Sequence, residues 1–213
     1  MSLDQYKMET RGVHILLSAV PVDGRSAEEL ARIAVEAGAS VIQLREKQMP
    51  MGELLPIAKK LRKICEDITF IVNDRADLAK IIEADGVHLG QDDLPFRYAR
   101  EILGDKYIIG ISTGSVKEAL DAERQGADYI GFGHMYPTNS KLKSTPPKSI
   151  QELQDICSSV SIPVIAIGGI TINNLPPLLK SGIEGIAVVS AFSDAEDPRI
   201  ALEKLKKSFT SKR

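Results

Sequence analysis

The chain has 213 residues, 43% of them hydrophobic and 26% charged, which is enough to bury one full core. Its net charge of -2 provides no broad basic surface and argues against nucleic acid or anionic lipid as a partner. The two cysteines, Cys65 and Cys157, lie far apart and indicate neither a disulfide framework nor a zinc site.

The chain begins with a polar segment, residues 1–11, that lacks the apolar run of a signal peptide. We expect it to be a mobile N-terminal extension of one domain that covers residues 1–213. Nowhere does the sequence approach the roughly 20 consecutive apolar residues that a membrane span needs. These features predict a soluble, cytoplasmic protein.

Short apolar or β-branched runs recur along the chain and alternate with amphipathic stretches of helical periodicity. The runs are 13–17, 41–44, 70–72, 86–89, 107–111, 129–132, 164–167 and 185–189. Continuous apolar strands are typical of a parallel sheet that helices cover on both faces. An open doubly wound sheet is the main alternative, but its GxGxxG fingerprint after an early strand is absent. The sequence therefore predicts a single-domain (β/α)₈ TIM barrel.

In such a barrel the active site lies at the carboxyl ends of the strands, and polar residues follow several of the predicted strands. Gln43, Arg45 and Lys47 alternate after the second strand and share one face if the strand continues extended. This pattern indicates a cationic binding surface. A solvated strand end is an equal alternative for this segment taken alone.

Acidic residues follow the third and fourth strands, where Asn73-Asp74 and Asp93 come close together if the strands are adjacent. Two carboxylates beside lysine and arginine suit Mg²⁺, which prefers oxygen ligands and shares them with substrate phosphates. The alternative is that Asp74 and Asp93 cap the helices that follow them.

The segment after the sixth strand is longer than most connections of this kind. Thr138, Ser140 and Lys141 can wrap phosphate oxygens, and the loop can act as a lid. An ordinary surface loop is the alternative. His134 leads into this loop as a candidate acid or base, but it has no visible partner in the sequence.

Glycine and serine follow the last two strands, with Gly168-Gly169 after the seventh and Val189-Ser190 after the eighth. Barrels often bind a phosphate between these two loops, so a monophosphate site is favoured over plain tight turns. Ser112, after the fifth strand, can form one hydrogen bond with a ring amine or cap the next helix. His14 and His88 are interpreted as core histidines.

The segments 43–47, 73–75, 88–95, 137–141 and 166–169, read as QLREK, NDR, HLGQDDLP, PTNSK and AIGG, together resemble the thiamine-phosphate synthase family. The resemblance covers nearly the whole chain and implies a transferase. The implied reaction joins 4-amino-5-hydroxymethyl-2-methylpyrimidine diphosphate to a thiazole monophosphate, and it releases pyrophosphate by a dissociative displacement with Mg²⁺ as cofactor.

The resemblance also implies roles for individual residues. Asp74 and Asp93 would hold the metal, Ser112 would contact the pyrimidine, and Arg45, Lys47, Ser112 and Lys141 would be catalytic. The pyrimidine diphosphate would contact Gln43, Arg45, Lys47, Asn73 and Lys141. The thiazole phosphate would contact Thr138, Ser140, Gly169, Val189 and Ser190.

The sequence departs from the family pattern where Gly133-His134 replaces a common Gly-Pro and Ser140 replaces threonine. A thiazole tautomerase with His134 as its acid or base is therefore the second hypothesis, and a non-catalytic phosphate-metabolite-binding barrel is the third. The expected partners are small-molecule substrates, the pyrimidine diphosphate and the thiazole phosphate, without nucleic acid or membrane. Homo-oligomerisation is left open.

Overall fold

The computed structural model describes residues 9–138 and 146–210, and their strands form one closed parallel barrel in the order β1 to β8. The strands are β1 Gly12–Leu17, β2 Val41–Leu44, β3 Thr69–Asn73, β4 Gly86–Leu89, β5 Ile108–Thr113, β6 Tyr129–Gly133, β7 Val164–Ile167 and β8 Gly185–Val188. All eight predicted strands are present, with shifts of one or two residues at some ends. The (β/α)₈ fold is confirmed.

Helices connect the strands and surround the barrel. They are α1 Ala27–Glu36, α2 Met51–Ile64, α3 Ala76–Ile81, α4 Phe96–Leu103, α5 Val116–Gln125, α6 Ile150–Ser159, α7 Leu175–Leu179, α8 Ser190–Ser193 and α9 Pro198–Thr210. Serine side chains begin three of them: Ser26, Ser115 and Ser149 each accept the backbone N–H three residues later. Such caps satisfy backbone donors that the first helical turn leaves without partners.

Two hydrophobic layers hold the fold together. The larger lies between strands and helices, where Ile15, Ile42 and Phe70 are fully buried. The smaller fills the barrel interior and contains Leu16, Val41, Ile71, Ile108, Tyr129, Ile165 and Ala187. Because successive side chains on a strand point to opposite faces, every strand except β4 supplies both layers, and β4 supplies Val87 and Leu89 to the larger one.

No helix among the described residues is both long and apolar enough to span a membrane. Cys65 is buried at the end of α2, and Cys157 lies half-buried in α6. Both cysteines are free thiols.

Candidate active site

One cavity opens at the carboxyl ends of the strands and contains every predicted site residue that the structure describes. Its lining includes Gln43, Arg45, Lys47, Asn73, Asp74, Asp93, Ser112, His134, Thr138, Gly169, Val189 and Ser190. Ser140 and Lys141 belong to the segment 139–145, which lies outside the described residues. The barrel thus gathers residues that are up to 147 positions apart, from Gln43 to Ser190.

The cationic side of the cavity is built where β2 ends. The strand stops at Leu44, so the condition that it continues extended through Lys47 is not met, yet Arg45 and Lys47 still line the cavity. Glu46 causes the turn, because its Oε1 accepts the backbone N–H groups of Lys47 and Gln48, both at 2.9 Å. Its other carboxylate oxygen, Oε2, accepts the Ser18 hydroxyl.

Two buried amide side chains, Gln43 and Asn73, lie at the inner end of this side of the cavity. Buried Gln43 donates from Nε2 to Oδ1 of buried Asn73 over 3.1 Å, and the two residues lie on neighbouring strands β2 and β3. A buried amide pair is costly unless its groups are bonded, so this contact holds both side chains in place.

Asp74 and Asp93 meet beside the cations. Nζ of Lys47 lies 3.0 Å from Oδ2 of Asp74, and Oδ2 of Asp93 accepts the Gly90 N–H at 2.6 Å. Burial raises the pKa of Asp74, and a hydrogen bond with Asp93 raises that pKa further. The two carboxyl groups are therefore close enough to compete for one proton.

The interpretation of these two acids as helix caps is wrong. The residue that precedes α3 is Arg75 and the one that precedes α4 is Pro95, and neither helix has a side-chain cap. Asp74 adopts φ +65°, a left-handed conformation that aspartate tolerates better than most residues. Its N–H donates to the His88 carbonyl on β4, which fixes the turn.

The other side of the cavity is formed by the loops after β6, β7 and β8. Gly169 has φ +65°, and a Cβ there would lie 2.5 Å from the Pro137 carbonyl oxygen. A Cβ on Gly168 would lie 2.3 Å from the Cβ of His134. These glycines therefore allow the β7 loop to pack directly on the loop after β6, in addition to lining the cavity.

Tyr136 and Asn174 hold these two loops together, and no pattern in the sequence singles out either residue. Asn174 donates to the Gly169 carbonyl and accepts the Thr171 N–H, both at 2.8 Å, while the Tyr136 hydroxyl donates to the Asn174 carbonyl at 2.7 Å. Asparagine side chains commonly order turns in this way.

The floor of the cavity contains the two histidines interpreted as core residues. His14 and His88 are indeed enclosed, and burial lowers the pKa of each ring to about 4. They also line the cavity together with Tyr129, so their interpretation as core residues was incomplete. The alternation of inward and outward side chains could have placed both histidines in the cavity, because His14 on β1 and His88 on β4 lie at inward positions of their strands.

Ser112 is an inward residue of β5, and the helix that follows is capped by Ser115 instead. The helix-cap alternative for Ser112 is therefore wrong. Its Oγ lies 2.9 Å from Nε2 of His88, whose Nδ1 lies 2.9 Å from the Tyr129 hydroxyl. The serine hydroxyl thus connects the buried floor to the open cavity.

Within residues 9–138 and 146–210, no cluster of three or more histidine, cysteine or acidic side chains could hold a metal ion. Asp74 and Asp93 are a pair. A pair of carboxylates suits Mg²⁺, which often takes one or two protein carboxylates and completes its shell with water and substrate phosphates.

Comparison with known proteins agrees with this geometry. Residues 15–192 match the family model described as thiamine monophosphate synthase. A thiamine-phosphate synthase of Chlorobium phaeovibrioides is 50% identical over 82% of this chain and 85% of its own length. One from Methanocella arvoryzae is 47% identical over 86% and 87%. A thiamine phosphate pyrophosphorylase structure from Pyrococcus furiosus, 40% identical, superposes with a TM-score of 0.84 over 94% of this chain and 96% of that chain.

Proposed function

This chain belongs to the thiamine monophosphate synthase family and is a transferase that makes thiamine phosphate, and we propose that its barrel cavity joins an aminopyrimidine diphosphate to a thiazole monophosphate. The observation that carries the proposal is the division of one cavity into two sides. Cations and an acidic pair follow β2 to β4, and glycines and hydroxyl groups follow β6 to β8. Each side suits a different phosphate group.

The diphosphate fits the side formed by Arg45, Lys47 and Asn73. A guanidinium and an ammonium group stabilise negative charge on phosphate oxygens, and an amide adds directional hydrogen bonds. Gln43, bonded to Asn73, fixes the inner end of this surface. Lys141 is assigned to the same diphosphate by the family resemblance, in the segment outside the described residues.

Asp74 and Asp93 fit a Mg²⁺ ion bound together with the diphosphate. The contact between their carboxyl groups, which raises the pKa of Asp74, is the kind of charge repulsion that a bound cation relieves. When bound, Mg²⁺ would stabilise the negative charge of the pyrophosphate leaving group. Lys47, 3.0 Å from Asp74, orients that carboxylate toward the diphosphate side.

The thiazole phosphate fits the opposite side. Gly169 presents backbone without a side chain, and Ser190 and Thr138 place hydroxyl groups on the same cavity wall. Phosphate oxygens accept hydrogen bonds from both backbone N–H groups and hydroxyls. Val189 adds an apolar contact next to Ser190, and Ser140, which lies outside the described residues, is assigned here by resemblance.

The reaction breaks the bond between the pyrimidine methylene carbon and a diphosphate oxygen, and the electron pair leaves with pyrophosphate. The aminopyrimidine ring supports the resulting positive charge, and the thiazole nitrogen then donates its lone pair to form the C–N bond. Arg45 and Lys47 stabilise the departing anion, while the phosphate anchor on the far wall holds the thiazole close. No covalent enzyme intermediate is required.

The test is a coupling assay with purified protein, the pyrimidine diphosphate, the thiazole phosphate and Mg²⁺. Thiamine phosphate is followed by fluorescence after oxidation to thiochrome. We expect product that disappears when a chelator is added and returns with excess Mg²⁺. Absence of product from folded protein and authentic substrates would contradict the proposal.

His134 is buried in the cavity lining, and this position is the observation that favours a tautomerase. The retained cations and acidic pair favour the synthase, as do the synthase names of the relatives above. Incubation with a thiazole carboxylate phosphate separates the two functions. Isomerisation that His134→Asn abolishes, without any coupling activity, would favour the tautomerase.

A further inference from the structure

Three side chains, Tyr129, His88 and Ser112, form a hydrogen-bonded series that runs from the barrel interior to the substrate cavity. The Tyr129 hydroxyl lies 2.9 Å from Nδ1 of His88, and Nε2 of His88 lies 2.9 Å from Oγ of Ser112. Glycine makes room for it, because a Cβ on Gly110 would lie 2.1 Å from Cζ of Tyr129. A Cβ on Gly131 would lie 3.1 Å from Cε1 of His88, so the imidazole is also closely enclosed.

The direction of the hydrogen bonds in this series follows from Tyr129. Its ring is 2% exposed, and burial raises the pKa of the phenol, so the hydroxyl keeps its proton. Within the described part of the chain, its hydrogen-bond partner is His88. A buried hydroxyl that does not donate is costly, so the phenol donates to Nδ1 of His88.

The imidazole of His88 determines the direction of the next hydrogen bond, the one with Ser112. A neutral ring that accepts at Nδ1 carries its proton on Nε2, and burial keeps His88 neutral. Nε2 then donates to Oγ of Ser112, which occupies a lone pair of the serine oxygen. In the described residues Oγ has no second protein partner, so the hydroxyl proton is directed at whatever occupies the cavity.

We propose that Tyr129 and His88 are positioning residues that make the Ser112 hydroxyl a hydrogen-bond donor to an acceptor atom of the pyrimidine substrate. The inference rests on the proposed function for the identity of that substrate. Ring nitrogens of an aminopyrimidine are acceptors, whereas its amino group is a donor, so a serine fixed as a donor selects a ring nitrogen. Tyr129 and His88 thus contribute to specificity by fixing the direction of the Ser112 hydrogen bond.

The first measurement is the tautomer of His88, which needs no substrate. The chain has three histidines, and ¹⁵N NMR distinguishes the two neutral forms of each ring. His14→Asn and His134→Asn identify the other two signals. We expect His88 to carry its proton on Nε2. A proton on Nδ1 would overturn the proposal, because Ser112 would then donate to His88.

The second measurement is a double-mutant cycle on coupling kinetics. Ser112→Ala is expected to raise KM for the pyrimidine diphosphate about five- to tenfold, the value of one net hydrogen bond, and to leave KM for the thiazole phosphate unchanged. Tyr129→Phe frees His88 to exchange tautomers, so KM rises by a smaller factor, roughly threefold, and NMR shows a mixture. Ser112→Ala then costs less in the Tyr129→Phe background.

Tyr107→Phe is the matched control, because it removes the same atom from a buried tyrosine that does not line the cavity. It should leave both KM values and the His88 signal unchanged. Additive effects of Ser112→Ala and Tyr129→Phe would overturn the proposal. Failure of the proposed function has a different signature: the wild-type chain would form no thiamine phosphate, while the His88 tautomer would remain measurable.

Discussion

Acidic residues occupy both ends of this barrel, and the two ends use them in opposite ways. At the amino ends of the strands, Asp85 and Asp128 each accept a backbone N–H of the neighbouring strand at 2.7 Å and pair with an arginine. At the carboxyl ends, Asp74 and Asp93 lie against each other.

Asp85 and Asp128 repeat one arrangement. Asp85 exchanges hydrogen bonds with Phe70 on β3, and Asp128 does the same with Ile109 on β5. Arg62 and Arg100 complete these clamps by donating to backbone carbonyls at the ends of α2 and α4. Such acids stabilise the fold, because each satisfies donors that would otherwise lose water on folding.

Asp93 also accepts a backbone N–H, that of Gly90, and Asp74 pairs with Lys47, but the contact between the two acids costs free energy in the folded chain. We therefore propose that the same residue type supports stability at one end of the barrel and activity at the other. Function concentrates at the carboxyl ends because the loops there converge on one cavity. The predictions below test that division.

The largest expected effect is the loss of coupling activity in Asp93→Asn. The substitution keeps the side-chain shape but removes a charge from the proposed Mg²⁺ site, so kcat/KM should fall by about 100-fold or more. Thiazole phosphate binding, measured by calorimetry, should be largely unchanged, and the free energy of unfolding should not decrease. The matched control is Asp92→Asn, because Asp92 is exposed and does not line the cavity. Full activity of Asp93→Asn in Mg²⁺ would contradict the proposal that the acids at the carboxyl ends of the strands serve activity.

The pH dependence of stability tests the cavity floor. His14 and His88 have pKa values of about 4 in the folded chain and 6.5 ordinarily, so the unfolded chain binds more protons between these values. Stability is therefore complete above pH 6.5 and is lost as pH falls toward 4, by up to about 1.4 kcal/mol per pH unit for each histidine.

Denaturant unfolding at several pH values measures this slope. Because other groups titrate in the same range, the informative quantity is the difference between wild type and His14→Phe. We expect the free energy of unfolding of the variant to depend less steeply on pH, by up to the contribution of one bound proton. An identical slope in the two proteins would mean that His14 is not buried as a neutral ring.

Asp85→Ala should lower the free energy of unfolding by about 1–3 kcal/mol, because it leaves the Phe70 N–H without its acceptor. The activity of the folded protein should be unchanged, since Asp85 lies at the end of the barrel away from the cavity. Chemical denaturation and the coupling assay measure the two quantities. Asp85→Asn is the control, since its amide oxygen can still accept the same N–H. A loss of activity without a loss of stability would contradict the assignment of Asp85 to the stability of the fold.

The smallest effect is expected for Ser190→Ala on the thiazole side. Loss of one hydroxyl contact to phosphate should raise KM for the thiazole phosphate roughly three- to tenfold and leave KM for the pyrimidine diphosphate unchanged. Steady-state kinetics with each substrate varied in turn measures both values. Ser193→Ala, on the same short helix but outside the cavity lining, is the control. An equal rise in both values would contradict the two-sided cavity.

The sequence predicted much of the cavity lining because strand ends are visible in it. Arg45, Lys47 and Asp74 follow apolar runs directly, and in a parallel barrel such positions converge. That reasoning does not extend to side chains inside a strand. Tyr129 and His88 look like ordinary core residues, and only the barrel register brings them together beneath Ser112.

By itself, then, the sequence determined the number of strands, their parallel arrangement and the face that carries the chemistry, since these follow from local hydrophobic periodicity and from the residues after each strand. Tertiary structure alone decided that Asp74 and Asp93 cap no helix, that Gly168 and Gly169 let two loops pack together, and that a buried tyrosine sets the direction of a serine hydrogen bond. The physical reason is distance along the chain. Contacts between residues tens of positions apart depend on strand register and side-chain direction, which no local pattern encodes.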